Sequence, residues 1–324
     1  MSVDDVPPIG KTDTPTERPI ERLVDGPGRG GQSLDRVLIL GAKGQLGSAL
    51  VNQDWPVGTF VLPATRDQLD IADPMMVRAY IEQWRPKVVI NAAAYTAVDR
   101  AEDEPESANK VNHRAVVSIA EAVRSIGARL IHLSTDYVFD GATTGWYREH
   151  DQVNPLGVYG RSKRAGELAA LELGDALVLR TSWLYSSNGT NFVRTIRRLG
   201  RTRHLLEVVD DQRGCPTSAQ ELAAAVVVAI RGGLNHNGLF HVAAPDAATW
   251  WEFADEILRL DGTRDLVKLN RVTTDRYPLA ARRPADSRIS SDAFAAAYGH
   301  TLPPWRDSLR EVSRQIDRQD QPRS

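Results

Sequence analysis

The apolar positions of this chain fall into short runs separated by stretches of helical spacing. Val37-Leu38-Ile39-Leu40 is an unbroken apolar run that ends directly in glycine, the pattern of a strand buried on both faces of a parallel sheet. Leu46, Leu50 and Val51 then mark one face of a helix. Phe60-Val61-Leu62 predicts a second strand, and Pro74 opens a helix to about Trp84 with Asp73 as its cap. Lys87-Val88-Val89-Ile90 predicts a strand, Val111 to Ile126 a helix, and Arg129 to Leu133 a strand. A helix starting near Tyr159 and running to Leu173 leads into a strand at Ala176 to Arg180. This alternation over residues 35–185 predicts an α/β fold, a doubly wound parallel sheet with right-handed crossovers. The later third is mixed. Leu206 to Val209 and Gly238 to Val242 read as strands, and Ser218 to Arg231, Thr249 to Leu260 and Trp305 to Ile316 as helices. These predict a smaller C-terminal substrate lobe over residues 186–324, with some segments returning to the dinucleotide-binding domain at 34–185.

Residues 1–33 break the pattern. They hold Pro7, Pro8, Pro15, Pro19 and Pro27, several glycines and no apolar periodicity, which predicts a disordered extension. The whole chain has 324 residues and a net charge of −2, so no strong field draws nucleic acid or anionic lipid. No apolar run reaches the roughly 20 residues of a membrane span. With Cys215 as the only cysteine there is no intrachain disulfide and no cysteine cluster for zinc. The expectation is a soluble protein of the cytoplasm that binds neither nucleic acid nor membrane.

The chemistry sits where strands end. Gly41, Gly44 and Gly47 form a G-x-x-G-x-x-G turn between the first strand and first helix, with Gln45 and Leu46 inside it. Such a turn lets a pyrophosphate approach backbone N–H groups at a helix start. At the end of the second strand, Arg66 can pair with a 2′-phosphate, which favours NADP(H), with NAD(H) as a second cofactor; Asp67 next to it weakens that preference. Asp70-Ile71 sets a carboxylate near an adenine amine or caps a turn. Ala92, Ala93, Ala94 and Tyr95 offer a small-residue edge along which a cofactor can lie. Tyr159 and Lys163 stand four apart and share a helix face. A phenol is a poor acid–base group at neutral pH until a neighbouring ammonium lowers its pKa. Thr135, at the end of a predicted strand, supplies a hydroxyl for a carbonyl oxygen.

Taken together, these residues resemble the extended short-chain dehydrogenase/reductases with their Rossmann domain, and more narrowly the dTDP-4-dehydrorhamnose reductases. The likeness rests on the glycine turn, Ser134-Thr135-Asp136-Tyr137-Val138-Phe139-Asp140-Gly141, Tyr159-Gly160-Arg161-Ser162-Lys163, Arg180-Thr181-Ser182-Trp183, Asp211 to Thr217 and Arg283-Pro284-Ala285-Asp286-Ser287. It implies reduction of the C4 ketone of dTDP-4-dehydro-β-L-rhamnose by NADPH. Tyr159 then gives the proton, Lys163 tunes it and holds ribose, and Thr135 polarises the ketone. Asp136, Tyr137 and Trp183 flank the sugar, and Arg283 meets the phosphates. Some relatives are reported with magnesium held by glutamates, one in the helix after the glycine turn. Here that helix opens Ser48-Ala49-Leu50, and no metal is expected. A homodimer is compatible with the resemblance. The competing readings are a nucleotide-sugar epimerase or dehydratase that retains NAD, and a non-catalytic subunit of the methionine adenosyltransferase type.

Overall fold

A computed structural model of the chain describes residues 35–143, 145–172 and 174–321; the expected disordered extension lies outside the described residues. The longer strands are β1 (Asp35–Leu40), β2 (Thr59–Ala64), β3 (Val88–Asn91), β4 (Arg129–Thr135), β5 (Ala176–Thr181), β6 (Leu205–Val209), β7 (Gly238–His241) and β8 (Lys268–Val272). The helices that matter below are α1 (Gln45–Val51), α2 (Pro74–Trp84), α3 (Ala115–Ser125), α4 (Val158–Glu172), α5 (Phe192–Thr202), α6 (Ala219–Arg231), α7 (Trp250–Leu260) and α8 (Trp305–Asp320).

Six strands form one parallel sheet in the order β7-β5-β4-β3-β1-β2. Its apolar runs are buried on both faces, as their lack of alternation predicts. Leu38, Leu40, Val89, Leu130 and Val178 pack against α2, α3 and α4. Val37, Ile39, Ile90, Ile131 and Leu177 point the other way, against α1 and α6. β7, from late in the chain, lies beside β5. A separate core joins α5, α7, α8 and the parallel pair β6–β8, with Phe253, Trp305 and Leu309 at its centre.

Local signals explain several boundaries. Asp73 accepts from the N–H groups of Met75 and Met76, and Pro74 fills the first turn of α2. Thr249 and Glu252 form a reciprocal capping box at the start of α7. The helical pattern from Val111 is interrupted: Lys110–Arg114 is a π turn leading into α3. The pattern did not announce α5 or β8. In α5 the apolar stripe is thin, Val193, Ile196 and Leu199 set among Arg194, Arg197, Arg198 and Arg201, and Arg197 is itself buried.

All six sheet strands run the same way, so their carboxyl ends share one edge. Because β2 and β3 flank β1 on opposite sides, the chain reverses its winding between β1 and β3. That reversal opens a crevice at the edge where ligands of such sheets bind.

Candidate active site

The glycine turn lies in that crevice. Gly41 has φ +79° and no room for a side chain: a Cβ there would stand 2.9 Å from the Cα of Ala93. A Cβ on Gly47 would stand 2.1 Å from the Gly41 carbonyl oxygen. The turn is thus drawn against the end of β3, and α1 begins with no side chain capping its first N–H groups. Leu46 and Ile71 turn their side chains into the core and face the crevice only through backbone. Gln45 accepts from the Ser186 hydroxyl at 3.0 Å. Asp70 spends Oδ1 on the Ala72 N–H at 3.0 Å, the turn-capping alternative. Arg66 is exposed at the end of β2. Its neighbour Asp67 is paired, at 3.1 Å, with Lys43 from the glycine turn, a cation the sequence reading passed over.

Ala92, Ala93 and Ala94 follow β3 and are half-buried. Tyr95 is pinned on both sides by Asn112, which accepts from its N–H at 2.8 Å and donates to its carbonyl at 3.0 Å. Asn112 also donates to Ser162 on α4 at 3.0 Å. The π turn delivers this buried amide, in keeping with the use of such turns near functional groups. No local motif signals Asn112, because both its partners are remote in sequence.

Tyr159 and Thr135 are neighbours, the threonine hydroxyl close enough to the phenol to favour its ionised form. Burial outweighs that and pushes the phenol well above its ordinary value. Lys163 is buried below and donates to the Leu133 carbonyl at 2.5 Å. Its loss of solvent lowers its pKa to about 8, while Glu167 one turn on opposes the fall. The ammonium that the sequence sets against the phenol is tied here to a strand carbonyl. Glu167 is held by a two-pronged ion pair with buried Arg180, at 2.7 and 2.8 Å, and by the Ser134 hydroxyl at 2.6 Å. The start of α4 is fixed by Glu102, which accepts from the Val158 N–H at 2.7 Å.

The expected sugar-side residues divide. Tyr137 packs edge-on against Tyr159, ring centroids 5.9 Å apart, and burial raises its phenol to about 12. Asp136 does not face the crevice. It is buried and accepts from the hydroxyls of Thr135, Ser182 and Ser287. Trp183 adopts a left-handed backbone, φ +46°, and stacks on Trp250 at 3.5 Å. Its ring lies over Gly214, where a Cβ would come within 2.3 Å of the indole. Trp250 in turn lines a cavity of about 300 Å³ with Phe192, Leu206, Val208, Tyr277 and Arg283. Arg283 stands at this cavity, paired with Asp99 at 2.6 Å, with the Tyr137 phenol nearby. A phosphate would find that guanidinium already oriented.

The family model described as the RmlD substrate binding domain matches residues 35–318. A Sinorhizobium fredii protein named dTDP-4-dehydrorhamnose reductase is 40% identical over 285 residues, covering 86% of this chain and 96% of its own. The crystal structure of a dTDP-4-dehydrorhamnose reductase from Clostridium acetobutylicum superimposes with a TM-score of 0.83 at 37% identity, covering 87% of this chain and 99% of that one. A Bacillus anthracis dTDP-4-dehydrorhamnose reductase, solved in complex with NADP, superimposes equally well at 35% identity and the same coverage. The chain belongs to the dTDP-4-dehydrorhamnose reductase family.

Proposed function

We propose that this protein reduces the C4 ketone of dTDP-4-dehydro-β-L-rhamnose to the alcohol of dTDP-β-L-rhamnose, using NADPH. The observation that carries the reading is the meeting of Tyr159 and Thr135 at the strand edge, above a buried Lys163. The residues present fit the cofactor. Gly41 and Gly47 let the turn close on itself and against the end of β3, where any Cβ would strike backbone, and the uncapped start of α1 offers N–H groups to a pyrophosphate. Lys43 and Arg66 bring two cations to the end of β2, which supports a 2′-phosphate and hence NADPH, with NADH as the lesser partner. When bound, NADPH supplies hydride to the ketone carbon.

The chain's own residues do the rest. Tyr159, protonated by virtue of its burial, gives its hydroxyl proton to the ketone oxygen. Thr135 shares the hydrogen bonding of that oxygen. The cavity beside Trp250 and Tyr277 accepts the nucleotide, with Arg283 toward its phosphates. A water-soluble nucleotide sugar makes the cytoplasm the natural compartment.

Purified protein incubated with the keto-sugar should oxidise one NADPH per sugar and then stop. An epimerase or dehydratase returns its hydride, so turnover of the sugar without net NADPH loss would contradict the reading. So would binding without turnover.

A further inference from the structure

The hydroxyl of Thr135 has one proton and two lone pairs, and two partners engage them, with the Tyr159 phenol close by. Asp136 Oδ1 lies at 3.1 Å and the Tyr137 N–H at 3.2 Å. The Tyr137 N–H can only donate, so it fixes one lone pair. Two arrangements remain. Thr135 gives its proton to Asp136, or it accepts from Asp136 and turns its proton toward Tyr159 and the crevice.

The two oxygens of Asp136 are not equivalent. Oδ2 accepts from Ser182 at 2.9 Å and from Ser287 at 2.6 Å. Ser182 is itself held as a donor, because its oxygen accepts the Cys215 N–H at 3.1 Å. Ser287 also has the Arg213 carbonyl at 3.3 Å as a second acceptor; Oδ1, with Thr135 as its only hydroxyl donor against two on Oδ2, is still the less engaged oxygen and takes an added proton at the least cost. We propose that Asp136 is a positioning residue that sets the direction of donation by Thr135: protonated, it turns the Thr135 proton toward the ketone beside Tyr159; ionised, it draws that proton away. The inference rests on the reaction proposed above.

The surroundings permit the switch. The groups facing Asp136 are Tyr137, Tyr159 and Cys215, all raised by burial and neutral. Arg283 is paired with Asp99 and Arg288 with Asp286. Burial lifts the Asp136 carboxyl to about 6 against the hydroxyl bonds that lower it.

The wild-type kcat should fall about tenfold per unit as pH rises above the Asp136 titration, measured between about pH 5 and about pH 8. Asp136→Asn keeps an oxygen for the two serines and aims an amide N–H at Thr135, mimicking the protonated acid. Its kcat should be flat with pH and at least equal to wild type near about pH 7.5. A folded Asp136→Asn protein that is inactive at every pH, or that keeps the limb, overturns the proposal. Ser287→Ala removes one donor from the carboxylate and should move the limb up by about one pH unit; an unmoved limb overturns it as well. Without cofactor or sugar, the carbon-13 carboxyl signal of Asp136 should titrate near 6. Titration near an ordinary value of about 4 overturns the proposal whether or not the sugar reaction is right.

Discussion

Lys163 is an ammonium under the carboxyl edge of the sheet that donates to the Leu133 carbonyl, and burial lowers its pKa to about 8. An unfolded lysine keeps its proton to about 10.4. Between those values the unfolded chain binds more protons than the folded one, so this residue makes stability rise with pH. The gain is on the order of 3 kcal/mol, set by loss of solvent and opposed by Glu167. Urea unfolding of the cofactor-free protein should therefore show Lys163→Met more stable than wild type at neutral pH, with the gap closing toward about pH 10. A gap that does not change with pH would contradict the assigned burial. Residues such as Tyr159 and Lys163 were legible because one helical turn relates them. Asp136 was not: its partners Ser182 and Ser287 lie 46 and 151 residues further on, beyond any local pattern. The family resemblance set it beside the sugar, and the fold buries it behind Thr135.

At the scale of elements, the turn from β1 into α1 works by closeness. Gly47 lies so near the Gly41 carbonyl that a methyl group has no place to go. Gly47→Ala should push α1 off the turn, at a cost of about 1–3 kcal/mol for overpacking, and should weaken NADPH binding at least about tenfold by fluorescence titration. Unchanged affinity would mean that the cofactor does not rest on this turn. The strand–helix alternation up to β5 was visible because each buried run is short, apolar and closed by a turn signal. Two elements near the site were hidden for physical reasons. The π turn at Lys110–Arg114 shares its composition with an ordinary helix, and only the buried Asn112 reveals its purpose. The binding of the α4 start by Glu102 spans 56 residues and leaves no trace in spacing.

Across the whole molecule, the two cores are tied where the chemistry sits. Asp99, just after β3, pairs with Arg283, and its carboxylate also accepts the Ala281 N–H at 3.1 Å. Ser287 reaches Asp136, and the Arg213 N–H donates to the Ala285 carbonyl at 2.8 Å. The late Arg283-Pro284-Ala285-Asp286-Ser287 block thus runs as a strap from the cavity to the proton-handling group. The sequence resemblance pointed to that block, but the Arg283–Asp99 pair became visible only when the chain was folded. What both levels share is a single claim: Tyr159 is the acid that protonates the ketone. Its most direct measurement is Tyr159→Phe, assayed for NADPH oxidation with dTDP-4-dehydro-β-L-rhamnose and, separately, for NADPH affinity. The expected result is a kcat lower by roughly 10²–10⁴-fold with affinity nearly unchanged. Wild-type turnover in that variant would contradict it.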